Sequence, residues 1–258
     1  MAKIGGKGLF VKELEEALLC GTIDLAVHSM KDVPTTLPSG LSIGAITKRE
    51  DPRDVVITVD KRKLSELSPD SRIGTSSLRR IAQLRRINPL FHVEDLRGNL
   101  DTRLRKLSEG LYDAVILAAA GVNRLGFDEK ISEYLDCEHF LPAVGQGALG
   151  IEIRHDDGQI RDILKDINHT DTAGAVMAER AFLAALEGGC QVPIGAFGRV
   201  VSDNRLTLTG VVSSLDGATF IRDEITGNVS EAEAMGKKLG ASFLDRGADK
   251  ILAQIRIA

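Results

Sequence analysis

Continuous apolar runs alternate along the chain with stretches in which apolar residues recur every three or four positions. The run 114–118 contains no polar residue, which is typical of a strand buried on both faces of a sheet. In 77–87 the apolar residues have helical spacing, which indicates a helix with one buried face. Strands that alternate with such helices favour an α/β fold built on doubly wound, parallel sheets.

The same pattern predicts an element order for most of the chain. The predicted strands are 23–30, 41–46, 55–59, 71–74, 91–96 and 112–119, with a further extended segment at 148–154, and the predicted helices are 9–19, 77–87, 99–108 and 171–186. Beyond them we predict strands near 196–201, 205–213 and 218–226, then a helix from Ser230 in which Glu233 completes a capping box.

Two segments rich in charge, proline or glycine interrupt this order, near 49–54 and 141–147. We predict that they are crossings between domains. The predicted domains are domain 1 (1–48 and 148–166), domain 2 (55–140) and a small C-terminal α+β domain (170–258). Two crossings imply a hinge, as in two-lobed binding proteins that close on a ligand.

The composition is that of an ordinary globular protein. The 258 residues are 43% hydrophobic and 27% charged, and no stretch resembles a membrane span or a signal peptide, so we expect a cytoplasmic protein. Cysteine and histidine have no metal-ligand or C-x-x-C spacing, which predicts neither a disulfide framework nor a metal site. The cysteines are Cys20, Cys137 and Cys190.

An unusual helix start lies at 74–80, where a strand, a tight turn and a helix N-terminus follow one another. A helix N-terminus favours anions, and acidic side chains are the usual residues of its first turn. Arg79 and Arg80 occupy that turn instead. We interpret them as part of a site for a ligand with several negative charges, whereas Arg85 and Arg86 suit the last turn of the same helix.

Arginine follows the ends of two more predicted strands, as Arg97 with Arg103 and as Arg124. The segment 72–106 is basic, although the whole chain has a net charge of −4. It contains one aromatic residue, Phe91, so platforms for stacking bases are scarce and a nucleic-acid ligand is the least favoured. A small polycarboxylate or phosphorylated ligand fits this segment better.

Two single residues have chemistry as well as a suitable position. Asp32 follows a predicted strand, at the end where ligands bind in α/β sheets, and Lys31 is beside it. A structural Asp in a turn before proline remains an alternative. Cys190 lies between two glycines and Gln-Val-Pro, where the backbone can approach a ligand, although an inert buried cysteine is equally compatible with the sequence.

Five motifs occur in order between His28 and Pro193, within a match that runs from Lys3 to near the C-terminus. They are His28-Ser29-Met30-Lys31-Asp32-Val33-Pro34, Gly74-Thr75-Ser76-Ser77-Leu78-Arg79-Arg80, Leu96-Arg97-Gly98-Asn99, Leu141-Pro142-Ala143-Val144-Gly145-Gln146-Gly147 and Glu187-Gly188-Gly189-Cys190-Gln191-Val192-Pro193. Together they resemble the porphobilinogen deaminase (hydroxymethylbilane synthase) family.

The resemblance implies a three-domain enzyme with two periplasmic-binding-protein-like lobes, which joins four porphobilinogen units into a linear tetrapyrrole and releases ammonia at each step. It implies one dipyrromethane cofactor on Cys190 through a thioether, and Asp32 as the catalytic residue that protonates the leaving amine and stabilises the resulting azafulvene cation. The other implied cofactor-binding residues are Lys31, Thr75, Ser77, Arg79, Arg80, Arg97, Gly98 and Gln146, and the implied substrate-binding residues are Lys3, Lys7, Phe10, Arg103 and Arg124. The family picture is a cytoplasmic monomer without a metal, a nucleic acid or a membrane as partner.

The family also begins with a strand, a helix and a second strand that carries a Thr-Arg-x-Ser type motif, and this chain starts after them. We therefore expect an incomplete domain 1 and a chain that is poorly active or unstable by itself. Other readings are an inactive fragment of the enzyme, a non-catalytic two-lobed binder of polycarboxylates and, least favoured, a nucleic-acid binder.

Overall fold

The computed structural model describes residues 6–187, 192–202 and 204–256, and at 6–10, 202 and 256 it describes the backbone only. The α-helices are α1 (Gly6–Leu19), α2 (Leu78–Ile87), α3 (Leu100–Ser108), α4 (Ala119–Arg124), α5 (Gly158–Leu164), α6 (Thr170–Ala185), α7 (Ala232–Asp245) and α8 (Ala248–Arg256). The strands are β1 (Ala26–Ser29), β2 (Leu41–Ile46), β3 (Asp54–Ile57), β4 (Arg72–Gly74), β5 (His92–Glu94), β6 (Ala114–Ala118), β7 (Glu133–Leu135), β8 (Leu149–Arg154), β9 (Ile194–Ser202), β10 (Arg205–Ser213) and β11 (Phe220–Asn228). Among the helices described, none is both long and apolar enough to cross a membrane.

The first sheet contains three strands in the order β1-β8-β2. β8 runs antiparallel to both neighbours and places Ile151 opposite Val27. Leu18 of α1 is buried against Ala26 and Leu41, so α1 covers part of this sheet. The chain leaves the first sheet after β2 and returns to it only at β8, so the intervening residues form a separate unit.

The second sheet contains five strands in the order β5-β4-β6-β3-β7. β4 is parallel to β5 and β6, whereas β3 is antiparallel to β6 and β7. The prediction of a wholly parallel sheet is therefore wrong at β3. A strand that is buried on both faces has the same apolar pattern in either direction, so the sequence does not record its direction. Because β3 is reversed, its first residue, Asp54, lies opposite Ala118 at the carboxyl ends of the parallel strands.

The third sheet is an antiparallel meander, β9-β10-β11, that packs against α6 and α7. The Phe182 ring of α6 meets the Phe243 ring of α7 edge to face, with 5.0 Å between their centroids. The predicted capping box at Glu233 is wrong. Asn228 and Glu231 form the box instead, on a 3₁₀ turn that precedes α7.

The elements predicted from periodicity are found close to their expected places. The predicted strand 41–46 and the predicted helix 171–186 differ from β2 and α6 by at most one residue at each end. The sequence pattern did not predict four elements, which are β7, α4, α5 and α8. The first three are only three to seven residues long, so they show too little of their period. The predicted domain boundaries stay predictions.

Candidate functional site

A buried carboxylate, Asp54, lies at the centre of the arginine-rich edge of the second sheet. Arg79 Nη1 donates to its Oδ2 at 2.7 Å, and Arg80 donates to its Oδ1 from Nε at 3.1 Å and from Nη2 at 2.7 Å. Gln146 Nε2 donates to the same Oδ1 at 2.9 Å. Burial alone would raise the pKa of Asp54, but the charges and hydrogen bonds of both arginines outweigh burial and hold this pKa well below its usual range. We call these four residues the Asp54 cluster.

The cluster revises the interpretation of the two arginines. The sequence suggested that their missing negative partner is a ligand, but Asp54 is a partner for both. One carboxylate balances only one of two guanidinium groups, so the cluster retains an excess of positive charge. Burial lowers the pKa of Arg79, and the charge of Arg80 lowers it further against the opposing effect of Asp54. Arg79 Nε is buried and has no hydrogen-bond acceptor among the described residues.

Arg103 of α3 adds positive charge on the same side of the sheet. Its Nε donates to the carbonyl oxygen of Gly98 at 2.9 Å. Burial lowers the pKa of Arg103, the charge of Arg80 lowers it further, and Asp95 acts in the opposite direction. The charges of Arg80 and Arg103 therefore act on each other.

Two turns present hydroxyl and backbone donors beside these arginines. Ser76 Oγ donates to Leu96 O at 2.8 Å and accepts from Leu96 N–H at 3.1 Å, which joins the turn after β4 to the turn after β5. Thr75 is buried, and its Oγ1 accepts the N–H of Ser77 at 3.2 Å. Ser77 occupies the N-cap of α2, but its side chain makes no hydrogen bond to the helix. The positive end of α2 is therefore not capped by the Ser77 hydroxyl.

The remaining predicted arginines lie further out. The Arg97 side chain is 83% exposed and pairs with Asp95 at 2.7 Å, while Gly98 adopts a φ of +120°. Arg124 is exposed at the last position of α4. The structure thus brings Arg79 and Arg80 together on Asp54, and leaves the side chains of Arg97 and Arg124 at the surface.

Gln146 has a different environment from a ligand-facing residue. It is buried, and its Nε2 donates to Pro52 O at 2.7 Å as well as to Asp54. These contacts join the second crossing to the first. Its predicted role in cofactor binding stays a prediction.

Asp32 and Lys31 belong to a 3₁₀ turn, Met30–Asp32, at the end of β1. Both are half-buried. A Cβ atom on Gly145 would lie 2.7 Å from Met30 Cβ and 3.3 Å from Lys31 N, so the second crossing packs directly on this turn. The turn and the Asp54 cluster are therefore connected through two neighbouring residues, Gly145 and Gln146.

Four predicted site residues are not described at side-chain level. Lys3 and Cys190 lie outside the described residues, and for Lys7 and Phe10 only the backbone, within α1, is described. Within the described ranges, no group of His, Cys, Asp and Glu side chains is suited to hold a metal ion.

Sequence reasoning missed Glu179, which joins both crossings to the third sheet. This fully buried carboxylate accepts from Arg49 Nη1 at 2.5 Å and from Arg49 Nη2 at 3.2 Å. It also accepts from the backbone N–H groups of Gly145 and Gly198, each at 2.7 Å. An acidic residue on the buried stripe of α6, three positions before Phe182, was the available signal.

Comparison with known proteins gives a consistent family match. One family model, described as "Porphobilinogen deaminase, dipyromethane cofactor binding domain", matches residues 1–162, and a second, "Porphobilinogen deaminase, C-terminal domain", matches residues 173–245. The porphobilinogen deaminase of Syntrophobacter fumaroxidans is 54% identical over 255 residues, which cover 99% of this chain and 82% of that protein. That of Geobacter metallireducens is 56% identical over 255 residues, covering 99% and 80%.

Solved structures with partial similarity include two-lobed binding proteins. The VFT2 domain of Bordetella pertussis BvgS has a TM-score of 0.38 and 23% identity, and the match covers 61% of this chain and 66% of that one. A putative methionine-binding lipoprotein from Bacillus subtilis has a TM-score of 0.43 and 12% identity, with 62% and 76% covered.

Proposed function

We propose that this chain, which belongs to the porphobilinogen deaminase family, uses Asp32 and the arginines around Asp54 to build a linear tetrapyrrole from four porphobilinogen units. The enzyme is a transferase of tetrapyrrole biosynthesis: it forms hydroxymethylbilane and releases ammonia at each condensation. The family match over 99% of the chain carries the assignment of the activity. The roles of individual residues are our proposal.

The cofactor of this family is dipyrromethane, which supplies the primer on which the new chain is built. Each of its pyrroles carries two carboxylates, so a fitting site needs several fixed cations. The excess positive charge of Arg79 and Arg80 over Asp54, and the buried Arg79 Nε without an acceptor, fit such a group. We propose that Cys190 holds it covalently and that its carboxylates lie near the following donors: Lys31, Thr75, Ser77, Arg79, Arg80, Arg97 and Gly98.

Asp54 holds the two arginines in place before any ligand binds. Both guanidinium groups are buried, and their orientations are set by hydrogen bonds to Asp54 and to backbone carbonyls, such as that from Arg80 Nη1 to Ile116 O at 2.9 Å. Donors that are oriented in advance cost no reorganisation when a negative group arrives. Each charge-assisted hydrogen bond to a carboxylate then contributes about 1.5–3 kcal/mol.

Asp32 performs the proton chemistry in this proposal. Its carboxyl group donates the proton that the departing amine takes, and the carboxylate that remains faces the positive charge that develops on the pyrrole. A half-buried carboxylate at the end of β1 suits both roles, because partial burial strengthens its interaction with a cation while solvent or product can return the proton.

The substrate brings further carboxylates, for which we propose the residues Lys3, Lys7, Phe10, Arg103 and Arg124. The positive charge of Arg80 acts on Arg103, which supports its inclusion. We also propose that the protein acts as a cytoplasmic monomer without nucleic-acid or membrane partners. The net charge of −4 supports the absence of a polyanionic partner.

The test is porphobilinogen consumption with ammonia release by the wild type, Asp32→Asn and the control Asp24→Asn. Asp24 has an exposed side chain and pairs with Arg154, so its variant retains activity. Loss of the proton donor lowers kcat by about 10²–10⁴-fold in Asp32→Asn. Turnover by Asp32→Asn at the wild-type rate would exclude the proposed role of Asp32, and no turnover by the wild type would contradict the assignment for this chain.

A further inference from the structure

Two consecutive residues of α6, Glu179 and Arg180, contact the surroundings of Asp32 from two directions. Glu179 accepts the N–H of Gly145, whose backbone packs on the turn that contains Asp32. Arg180 contacts the segment on the other side of this turn. Two neighbouring residues of α6, in the C-terminal α+β part of the chain, therefore contact what surrounds the turn that follows β1.

The contacts of Arg180 converge on three successive backbone carbonyls directly after Asp32. Its Nη1 donates to Val33 O at 3.1 Å, and its Nη2 donates to Pro34 O at 2.5 Å and to Thr35 O at 3.3 Å. Hydrogen bonds from an ionised donor are about twice as strong as neutral ones. The planar guanidinium also requires the three carbonyls to adopt one curved arrangement, which a flexible ammonium group does not.

The turn itself has weak internal support. It consists of three residues in a 3₁₀ conformation, in which hydrogen-bond geometry is poor. The bond that closes it, from Val33 N–H to Met30 O, is 3.4 Å long, beyond the usual range for N–H···O bonds. The position of the Asp32 backbone therefore depends on what packs against the turn and on what holds the segment that follows it.

The opposite flank shows that this position is set closely. Gly145 has a φ of +70°, and a Cβ atom there would meet Met30 Cβ at 2.7 Å, so the backbone of the second crossing lies in direct contact with the turn. Glu179 Oε2 holds this backbone through the Gly145 N–H at 2.7 Å. The turn thus packs against the backbone of Gly145, and the segment that follows the turn is held by Arg180.

We infer that Arg180 is a positioning residue for Asp32, and that through it α6 sets the place of the catalytic carboxylate. The inference rests on the proposed function of Asp32. α6 ends at Ala185, five residues before Cys190, the proposed cofactor residue. The same helix thus precedes, in the sequence, the residue proposed to carry the growing chain, and it holds the segment that follows the proposed catalytic acid.

The kinetic consequence is specific. Arg180 contacts backbone carbonyls of 33–35, whereas the proposed carboxylate-binding arginines lie on α2, α3 and α4 and in the turn before α3. Loss of Arg180 displaces the acid without removing the cations that bind the substrate. A misplacement of about 1 Å at a reacting group can lower the rate about 10²-fold, so kcat falls while KM changes little.

The test compares Arg180→Gln, Arg180→Lys and the control Arg85→Gln. Arg85 Nη1 donates to the carbonyl oxygen of Leu215 at 3.1 Å, so Arg85 also binds the C-terminal part of the chain through a backbone carbonyl. Arg85 lies in the last turn of α2, at the opposite end from Arg79 and Arg80. The measurements are kcat and KM for porphobilinogen, the pyrrole mass on Cys190, the midpoint of thermal unfolding, and hydrogen exchange of the amides of 31–35.

In Arg180→Gln we expect kcat to fall at least about tenfold, with KM within about twofold and faster amide exchange in 31–35. Arg180→Lys, which keeps the charge but not the fork, recovers part of kcat, and it provides the test if the Gln variant does not fold. Arg85→Gln leaves kcat and exchange in 31–35 unchanged, even if it lowers the unfolding midpoint.

The outcomes distinguish an error in the inference about Arg180 from an error in the proposed function. If the wild type turns over and Arg180→Gln keeps its kcat within twofold and its exchange unchanged, the inference is wrong while the proposed function stands. Equal kcat losses in Arg180→Gln and Arg85→Gln would show that Arg180 is only a general stabilising contact. This result would also overturn the inference. A wild type without turnover contradicts the proposed function, and the catalytic part of the inference falls with it.

Discussion

Arg80 and Asp54 form a buried ion pair, with 2.7 Å between Nη2 and Oδ1 and with side chains that are 8% and 0% exposed. The pair joins the first turn of α2 to the first residue of β3, where the chain has just crossed from the first sheet. Arg79 shares the same carboxylate. The negative charge of Asp54 therefore stabilises both buried arginines of α2 and the end of the crossing at 49–54.

Removal of that charge leaves two guanidinium groups buried with no compensating carboxylate. We expect Asp54→Asn to lower the free energy of unfolding by about 3–5 kcal/mol, measured by urea titration. Asp162→Asn removes a carboxylate that is 73% exposed and pairs with Lys165, so we expect it to change the free energy of unfolding far less. Similar effects of the two substitutions would contradict the role of Asp54.

The low pKa of Asp54 also makes stability depend on pH in one direction. A carboxyl group whose pKa is lower in the folded state stabilises the protein above its unfolded pKa and loses that contribution as the pH falls. The unfolded pKa of Asp is about 3.9, so the difference in unfolding free energy between wild type and Asp54→Asn is constant above about pH 5 and shrinks below pH 4. A difference that stays constant from pH 7 to pH 3, or grows on acidification, is incompatible with a lowered pKa.

Gly145 allows the contact between the second crossing and the Asp32 turn to be tested by itself. Gly145 and Gly21 both have a φ of +70°, but a Cβ atom would collide with Met30 only at Gly145, since nothing lies within 4 Å at Gly21. Both Ala variants carry the strain of a positive φ, about 1–2 kcal/mol, and Gly145→Ala adds about 1–3 kcal/mol for the collision. Urea titration measures the difference, and equal losses would show that the crossing can move away at no cost.

Arg103 and Arg105 lie on the same helix, α3, so their variants compare a proposed substrate-binding arginine with a surface arginine. We expect Arg103→Gln to raise KM for porphobilinogen about tenfold or more, because a charge-assisted hydrogen bond contributes about 1.5–3 kcal/mol. Arg105 is exposed and pairs with Glu109 at i,i+4, so Arg105→Gln keeps KM within about twofold. If both variants retain the wild-type KM, Arg103 does not bind substrate carboxylates.

The sequence marked Arg79 and Arg80 for a sound reason but did not show their partner within the protein. Two arginines in a first helical turn break a local rule, and the structure shows that both pair with one buried carboxylate. Their partner Asp54 is about 25 positions away in the chain, in a segment that the sequence marked only as a crossing. Local periodicity carries no information about such a pair, nor about the reversed direction of β3 that places Asp54 there.

Glu179 and Arg180 were missed for a related reason. Both lie in a helix that was correctly predicted, but their contacts depend on how α6 packs on segments distant in sequence: the two crossings for Glu179 and residues 33–35 for Arg180. The sequence shows an acidic residue, Glu179, in the apolar stripe of α6. The side-chain pattern gives no information about the backbone carbonyls that Arg180 binds. The chain spans 80–82% of the length of the two relatives named above.

The most direct test of the central claim is the mass of the protein under denaturing conditions, followed by mapping of the tryptic peptide 181–199, which contains Cys190. We predict an added mass of two linked pyrroles on this peptide, which is lost in Cys190→Ser and retained in Cys20→Ser. Wild-type protein that consumes porphobilinogen while Cys190 remains unmodified would contradict the proposed attachment of the cofactor and the account of the site built on it.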